Sequence, residues 1–213
     1  MTDIDAVRPL PATARGRRSR QALLDAAKTV FARDGFADAR ITDIADTAGA
    51  AHGSFYTYFD SKEEIFVALL RELEEELWHP AERSSDEPSA ADPYGQILRA
   101  NRAYLKAYRQ DRAIMIVWEQ VATLNPEVER LRRDAADRFA HRIAVAIEHW
   151  QQKGIADPAL DPEYAAVALT GMVSNFVYRW SARDADYDLD TAAEQLSVLW
   201  ANALGVRRPS ANP

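Results

Sequence analysis

The sequence predicts an all-α chain of about nine helices, and three observations carry that expectation. Apolar residues recur at three- and four-residue intervals along nearly the whole length. No sustained alternation of apolar and polar residues, the signature of a half-buried strand, appears anywhere. The periodic segments are separated by Pro, Gly and Asp-rich joints of the kind that start and stop helices. A chain of 213 residues supports one or two domains and can bury a core without cross-links.

The elements follow in order. A first helix is expected from Ser19 to Asp34, with Leu23, Leu24, Ala27, Val30 and Phe31 on one face and Gly35 as its stop. Two short helices near Ile41–Ala48 and His52–Tyr58 come next, punctuated by Gly49. Ser61 then opens a long helix to Trp78, because Ser61 and Glu64 have capping-box spacing, and Pro80 is expected to end it. Residues 80–92, rich in Ser, Pro and acid, read as a loop. Asp92-Pro93 opens a helix to about Arg109, and a shorter one runs through Thr123. Asn125-Pro126 opens the longest, which closes at Lys153-Gly154. Asp161-Pro162 starts another to about Ser181, and Asp190-Thr191 starts the last, which stops at Gly205.

Composition removes several function classes. There is no Cys, so disulfides, Cys-ligated zinc and thiol catalysis are excluded, and four His leave little for a multi-His metal centre. No metal or other cofactor is expected. Hydrophobic content of 47% with 28% charged residues is ordinary globular composition. The most apolar run, Ala165 to Val173, is far short of the ~18 residues that span a bilayer. Asp3 and Asp5 precede any apolar stretch, so the start does not read as a signal peptide. A soluble cytoplasmic protein with no membrane partner is expected.

Charge is unevenly divided. Residues 1–62 hold nine Lys/Arg and eight Asp/Glu, a net +1, so a total of −7 leaves −8 for residues 63–213. Arg8 to Arg20 contains five Arg (Arg8, Arg15, Arg17, Arg18 and Arg20) and no acid. A basic arm on an acidic protein suggests a local polyanion contact, and a solubilising tail has the same composition.

The informative stretch is Ile41 to Phe59. Two short helices packed at a steep angle need a small residue where they approach, and Ala45 fits. The turn between them needs a residue tolerant of positive φ, and Gly49 fits. Ile44, Ala48, Ala50, Phe55 and Tyr58 fall where a miniature core is required. That is a helix-turn-helix pattern, whose second helix can lie in a major groove. His52, Ser54, Thr57 and the hydroxyls of Tyr56 and Tyr58 make the second helix polar, as a groove reader must be. Ser61-Lys62 sets a cation and free amides at the next helix start, a ready phosphate clamp.

Gly35-Phe36, Ile41-Thr42-Asp43-Ile44-Ala45 and the run Ala48 to Phe66 resemble the N-terminal domain of TetR-type transcriptional regulators, over about residues 17–66. The resemblance implies an all-α homodimer in which three N-terminal helices form a helix-turn-helix domain on double-stranded operator DNA. A larger helical domain would hold a ligand and the dimer interface. It divides the chain into a basic arm (1–16), a DNA-binding domain (17–62) and an effector and dimerisation domain (63–213). Carried over by position, His52, Gly53 and Ser54 match the start of the recognition helix that faces base edges. Tyr56, Thr57 and Tyr58 match positions at the backbone or thymine methyls, and Lys62 matches a phosphate-contacting lysine. Thr42 and the arginines Arg17, Arg18 and Arg40 complete the expected DNA contacts. Arg40 stands where Thr commonly caps the second helix, so Asp38 or a backbone group substitutes, or Arg40 itself reaches phosphate.

Residues 63–213 carry no motif. Tyr104, Tyr108, Met115, Trp118, Phe139, Met172 and Phe176 are the candidate lining of a cavity between helices, with Asn101, Glu119 and Asn175 as its polar points. Such a pocket suits a small hydrophobic effector; plain core accounts for the same stripes. Tyr164 to Trp180 is apolar almost all round and needs cover on every side. Val173, Val177, Trp180, Leu196, Leu199 and Trp200 are therefore expected to meet a second copy in a four-helix bundle.

The function expected is a ligand-responsive DNA-binding regulator, a repressor released from a palindromic operator. A helical-bundle enzyme or metal-carboxylate protein is the rival class, on the Glu76-x-x-His79 spacing and on His141, Glu148 and His149. The first lacks its second copy and the others fit a solvated face. A ligand-independent DNA-binding protein is the third, and it would not need so large an acidic domain. No Ser/His/Asp elbow, phosphate loop or dinucleotide fingerprint supports catalysis.

Overall fold

The computed structural model describes residues 10–83, 92–183 and 186–208, with backbone alone over 75–83. Among the described residues it is all helix: α1 (Ala14–Asp38), α2 (Ile41–Thr47), α3 (His52–Tyr58), α4 (Lys62–Arg83), α5 (Pro93–Gln110), α6 (Arg112–Ala122), α7 (Pro126–Gln152), α8 (Pro162–Arg183) and α9 (Leu189–Leu204). No helix among them is long and apolar enough to cross a membrane. Packing divides the chain into two compact units, Met1–Glu74 with Ala113–Val128, and Glu75–Arg112 with Glu129–Pro213.

Helix starts follow local chemistry. The side chain of Asp92 accepts the Gly95 amide (2.9 Å), Asn125 accepts from Glu127 (2.9 Å) and Val128 (3.2 Å), and Asp161 accepts from Glu163 and Tyr164. Three expected boundaries move. Thr13, not Ser19, opens α1, its hydroxyl accepting the Gly16 amide at 3.1 Å, so the helix begins within the basic segment. Pro80 does not end α4, which runs on to Arg83, although an interior proline removes one backbone donor and crowds the carbonyl four residues back. Asp188, not Asp190, caps α9 and takes both the amide and hydroxyl of Thr191 at 2.8 Å. Gly35 interrupts the first helix as expected, at φ 74° and ψ 175°, and a short helical turn beyond this break carries α1 on to Asp38.

In the first unit, Leu23, Leu24, Ala27, Val30 and Phe31 of α1 are fully covered, together with Ile44, Ala45, Phe55, Phe59, Ile65, Phe66 and Leu70. Phe31, Phe36 and Phe66 form a three-ring cluster with centroids 4.8–5.6 Å apart, which fastens the start of α4 to the end of α1. Ser61 accepts the Glu64 amide at 3.0 Å, and Glu64 reaches back to the amide of Asp60, one residue before the cap itself.

In the second unit α5 lies along α9 and also meets α8. Asn101, buried, donates to Ser197 Oγ at 3.0 Å, and Ser197 donates to the Ala193 carbonyl at 2.6 Å. A polar pair inside an apolar seam fixes the register of α5 on α9, because a slip strands both groups. Val173, Val177, Trp180, Leu196 and Trp200, expected to meet a second copy, are all buried within the single chain. Of the six residues expected there only Leu199, 52% exposed, faces outward. The exposed face of α8 instead carries Tyr164, Val167, Ala168, Gly171 and Tyr178.

Candidate nucleic-acid interface

The turn between α2 and α3 is built by backbone geometry. Gly49 takes φ 63°, its amide bonds the Asp46 carbonyl (3.1 Å), and the Ala50 amide reaches the Ala45 carbonyl (3.0 Å). These two bonds make a Schellman stop, which needs a left-handed residue at position 49. Ala45 is fully buried, as close approach of the two helices requires, while Ala48, Ala50 and Tyr58 are half-buried rather than core.

Helix α3 buries Phe55 and turns His52, Gly53, Tyr56 and Thr57 to solvent, with Ser54 and Tyr58 at the margins. Tyr56 is half exposed, and the His52 ring meets it edge-on at 6.4 Å. A Cβ added at Gly53 would meet nothing within 4 Å, so an approaching surface can come close to the backbone there. A cleft of about 510 Å³ runs beside this face, lined by Thr13, Arg15, Gly16, Ser19, residues 48–51, Ser54, Thr57 and Tyr58. Hydroxyls, one guanidinium and a helix start share its walls.

The cations divide into two groups. Among the described residues Arg15, Arg18 and Arg40 have no side-chain hydrogen bond or ion pair. Arg40 precedes α2 without capping it; its carbonyl alone accepts the Asp43 and Ile44 amides at 3.1 and 3.2 Å. Arg17, expected at DNA, is turned back instead, its guanidinium on the carbonyls of Pro11 (3.1 Å) and Ala12 (2.8 Å). Lys62, expected at a phosphate, is also engaged: its ammonium donates to the carbonyls of Phe36 (2.7 Å), Ala37 (3.0 Å) and Ala39 (3.1 Å). An ammonium has three protons, so none remains for a phosphate in this arrangement. Thr42 is exposed, its hydroxyl 3.4 Å from Asp43. Arg15 borders the cleft, yet composition does not distinguish it from the rest of the basic run. The Thr13-x-x-Gly16 spacing is the signal that places it in the first turn of α1.

The expected effector residues fall in both units. Asn101, Tyr104, Tyr108, Phe139, Met172, Asn175 and Phe176 lie in the second; Met115, Trp118 and Glu119 lie in the first. Within the second, Tyr104 hydrogen-bonds Ser174 (3.3 Å) and its ring stands 6.2 Å from that of Tyr108. Phe176 packs on Trp180 and Tyr187 at 6.0 and 5.5 Å. Asn101 points inward and is buried, its amide donating to Ser197, whereas Asn175 is on the exposed side of α8. The side chains of Glu76 and His79 lie outside the described residues. His141 is exposed and 3.2 Å from Glu163. Among the described residues no group of three or more acids and histidines is placed to hold a metal.

Comparison with known proteins agrees with this geometry. Residues 23–69 match the family described as bacterial regulatory proteins, tetR family, and residues 90–204 match a tetracyclin repressor-like C-terminal domain. The chain is 30% identical to the HTH-type transcriptional regulator TtgR of Pseudomonas putida, over 77% of this chain and 80% of that one. It is 26% identical to the probable acrEF/envCD operon repressor of Escherichia coli K12, over 92% and 89% of the two chains. A transcriptional regulator of Saccharomonospora viridis, solved in complex with choline, superposes with a TM-score of 0.75 at 21% identity, covering 89% of this chain and 98% of that one. The matched helix-turn-helix segment contains the turn at Gly49 and the exposed face of α3, and the family's members are regulators of transcription, not enzymes. The chain belongs to the TetR family of DNA-binding transcriptional regulators.

Proposed function

We propose that two copies of this chain repress transcription by reading a two-fold symmetric operator, and that a small hydrophobic effector releases them. The observation that carries the reading is the outer face of α3: His52, Gly53, Tyr56 and Thr57 stand clear of the core and include no acid. Hydroxyl and imidazole groups match base-edge donors and acceptors, and the aromatic and methyl surfaces match thymine methyls. Arg15, Arg18 and Arg40 supply phosphate charge, and Ser54, Thr42 and Tyr58 flank the readers. Residues 17–62 serve as the DNA-binding domain and 63–213 as the effector and dimerisation domain, in a cytoplasmic protein that joins the nucleoid when bound.

Dimerisation is assigned to the exposed face of α8 with Leu199 of α9. Tyr164 (81% exposed) and Val167 (58%) are too apolar to be left in water, and Gly171 has open space where a Cβ would stand. A second helix can approach closely there. The effector is assigned to the aromatic set Tyr104, Tyr108 and Phe176 of the second unit, a lining suited to an apolar or cationic small molecule. It would release DNA only through its differential affinity for a conformation in which the two α3 helices are wrongly spaced, with α4 as the connecting element. The test is selection of bound fragments from genomic DNA by purified protein. His52→Ala and Tyr56→Ala should abolish enrichment while the chain stays folded and dimeric; equal enrichment by the variants would overturn the reading.

A further inference from the structure

Lys62 sits at the first position of α4, the end at which a helix disfavours positive charge. Its ammonium does not serve α4. It reaches the carbonyls of Phe36, Ala37 and Ala39, at 2.7, 3.0 and 3.1 Å, and lies 4.8 Å from the centroid of the Phe36 ring. These carbonyls belong to the end of α1 and to the joint before α2, where helical partners run out. Helix α1 has no basic residue in its own last turn. The cation that this terminus calls for is therefore supplied from α4, across 23 to 26 residues of sequence.

We infer that Lys62 is a positioning residue for operator binding: it locks the end of α1, the joint at Ala39 and the first turn of α4 into one piece and so sets the angle at which α2 and α3 meet DNA. This rests on the proposed DNA reading, and it departs from the phosphate contact that the resemblance implies. Ala39 is buried and directly precedes Arg40, where α2 begins, so the grip acts at the root of the reading motif. The Phe31–Phe36–Phe66 cluster holds the same junction from its apolar side. Without the ammonium, three carbonyls lose their donor and α2 with α3 samples orientations that do not fit a groove.

Lys62→Met and Lys62→Arg separate the two roles. A phosphate contact is kept by arginine; a cradle of three converging carbonyls fits a compact ammonium and not a planar guanidinium. Operator binding is measured by fluorescence anisotropy on a fragment selected by the wild type, at salt from 50 to 200 mM, alongside amide exchange of the free proteins. Both variants should lose affinity about tenfold or more, as when the competent geometry is populated in about a tenth of molecules. The slope of log affinity against log salt should stay at the wild-type value, and amides of residues 36–48 should exchange faster. If Lys62→Arg binds like the wild type while Lys62→Met lowers the slope by about 2 per dimer, the lysine is on phosphate and the inference fails. Melting lowered with affinity intact would reduce it to a structural strut and also overturn it. Should the wild type select no fragment, the DNA reading fails, and unchanged exchange over 36–48 would sink the cradle separately.

Discussion

Replacing Trp200 by alanine should destabilise the fold of the second unit, and not simply separate one chain from its copy. Trp200 is 5% exposed within a single chain and belongs to α9, the helix that lies along α5. Removing a buried tryptophan costs about 3–5 kcal/mol through lost transfer energy and the cavity left behind. The indole Nε1 of Trp200 is buried without a hydrogen-bond partner among the described residues. A stranded donor already costs about 1–3 kcal/mol, so its removal offsets some of the loss and the net falls near the low end, about 3 kcal/mol. Trp200→Phe keeps most of the ring and deletes the stranded donor, and should change stability by less than about 1 kcal/mol. Urea unfolding followed by circular dichroism, at two chain concentrations to separate dissociation from unfolding, reads both variants. If Trp200→Ala keeps its urea midpoint but sediments as a monomer, Trp200 is at an interface and the burial argument is wrong.

Other outcomes follow from the same structure. Leu199→Asp, on an exposed position, should leave the fold of the chain intact and weaken self-association in sedimentation equilibrium; unchanged association would remove α9 from the interface. Arg15→Ala and Arg40→Ala should each lower the salt slope of operator binding by about 2 per dimer, whereas Arg17→Ala should not, because its guanidinium is held by carbonyls. Ala45→Leu should destabilise the first unit by about 1–3 kcal/mol in thermal melts, since no space surrounds a fully buried alanine between α2 and its neighbours. The carboxyl of Asp92 is held below its usual range by the Arg99 side chain and the Gly95 amide, and that of Asp188 by the Thr191 amide and hydroxyl. Both lowered values mean stability that is present above the ordinary carboxylate pKa and lost as pH falls through the folded one. Acid unfolding of the second unit should therefore begin below about pH 4, and Asp92→Asn should flatten it.

The elements of the fold that the sequence made legible are those governed by neighbours along the chain. Asp92-Pro93, Asn125-Pro126 and Asp161-Pro162 start helices where expected because a cap bonds amides two or three residues away. Helix α3 and the turn at Gly49 were legible for the same reason. The start of α1 was not, because its first turn is basic and offers no apolar period, leaving only Thr13 as a signal. The side of α8 that faces inward was not either. A helix apolar all round has no preferred face, so Val173 and Trp180 could not be told from Val167 and Tyr164. The site shows a third kind of limit. Arg17 and Lys62 are bound by backbone carbonyls, which every residue carries, so no pattern of side chains announces the partner. Asn101 stands out in the sequence as a polar residue on an apolar face, but its partner Ser197 lies 96 residues away.

The central claim, that paired copies present the His52–Thr57 face to consecutive major grooves, is tested most directly by hydroxyl-radical footprinting of the protein on a selected genomic fragment. Two protected half-sites related by a dyad, with centres ~34–36 Å apart or a multiple of that, are the expected result, and both should vanish with Tyr56→Ala. A single protected site bound by one chain, or a footprint that survives Tyr56→Ala unchanged, would contradict the account.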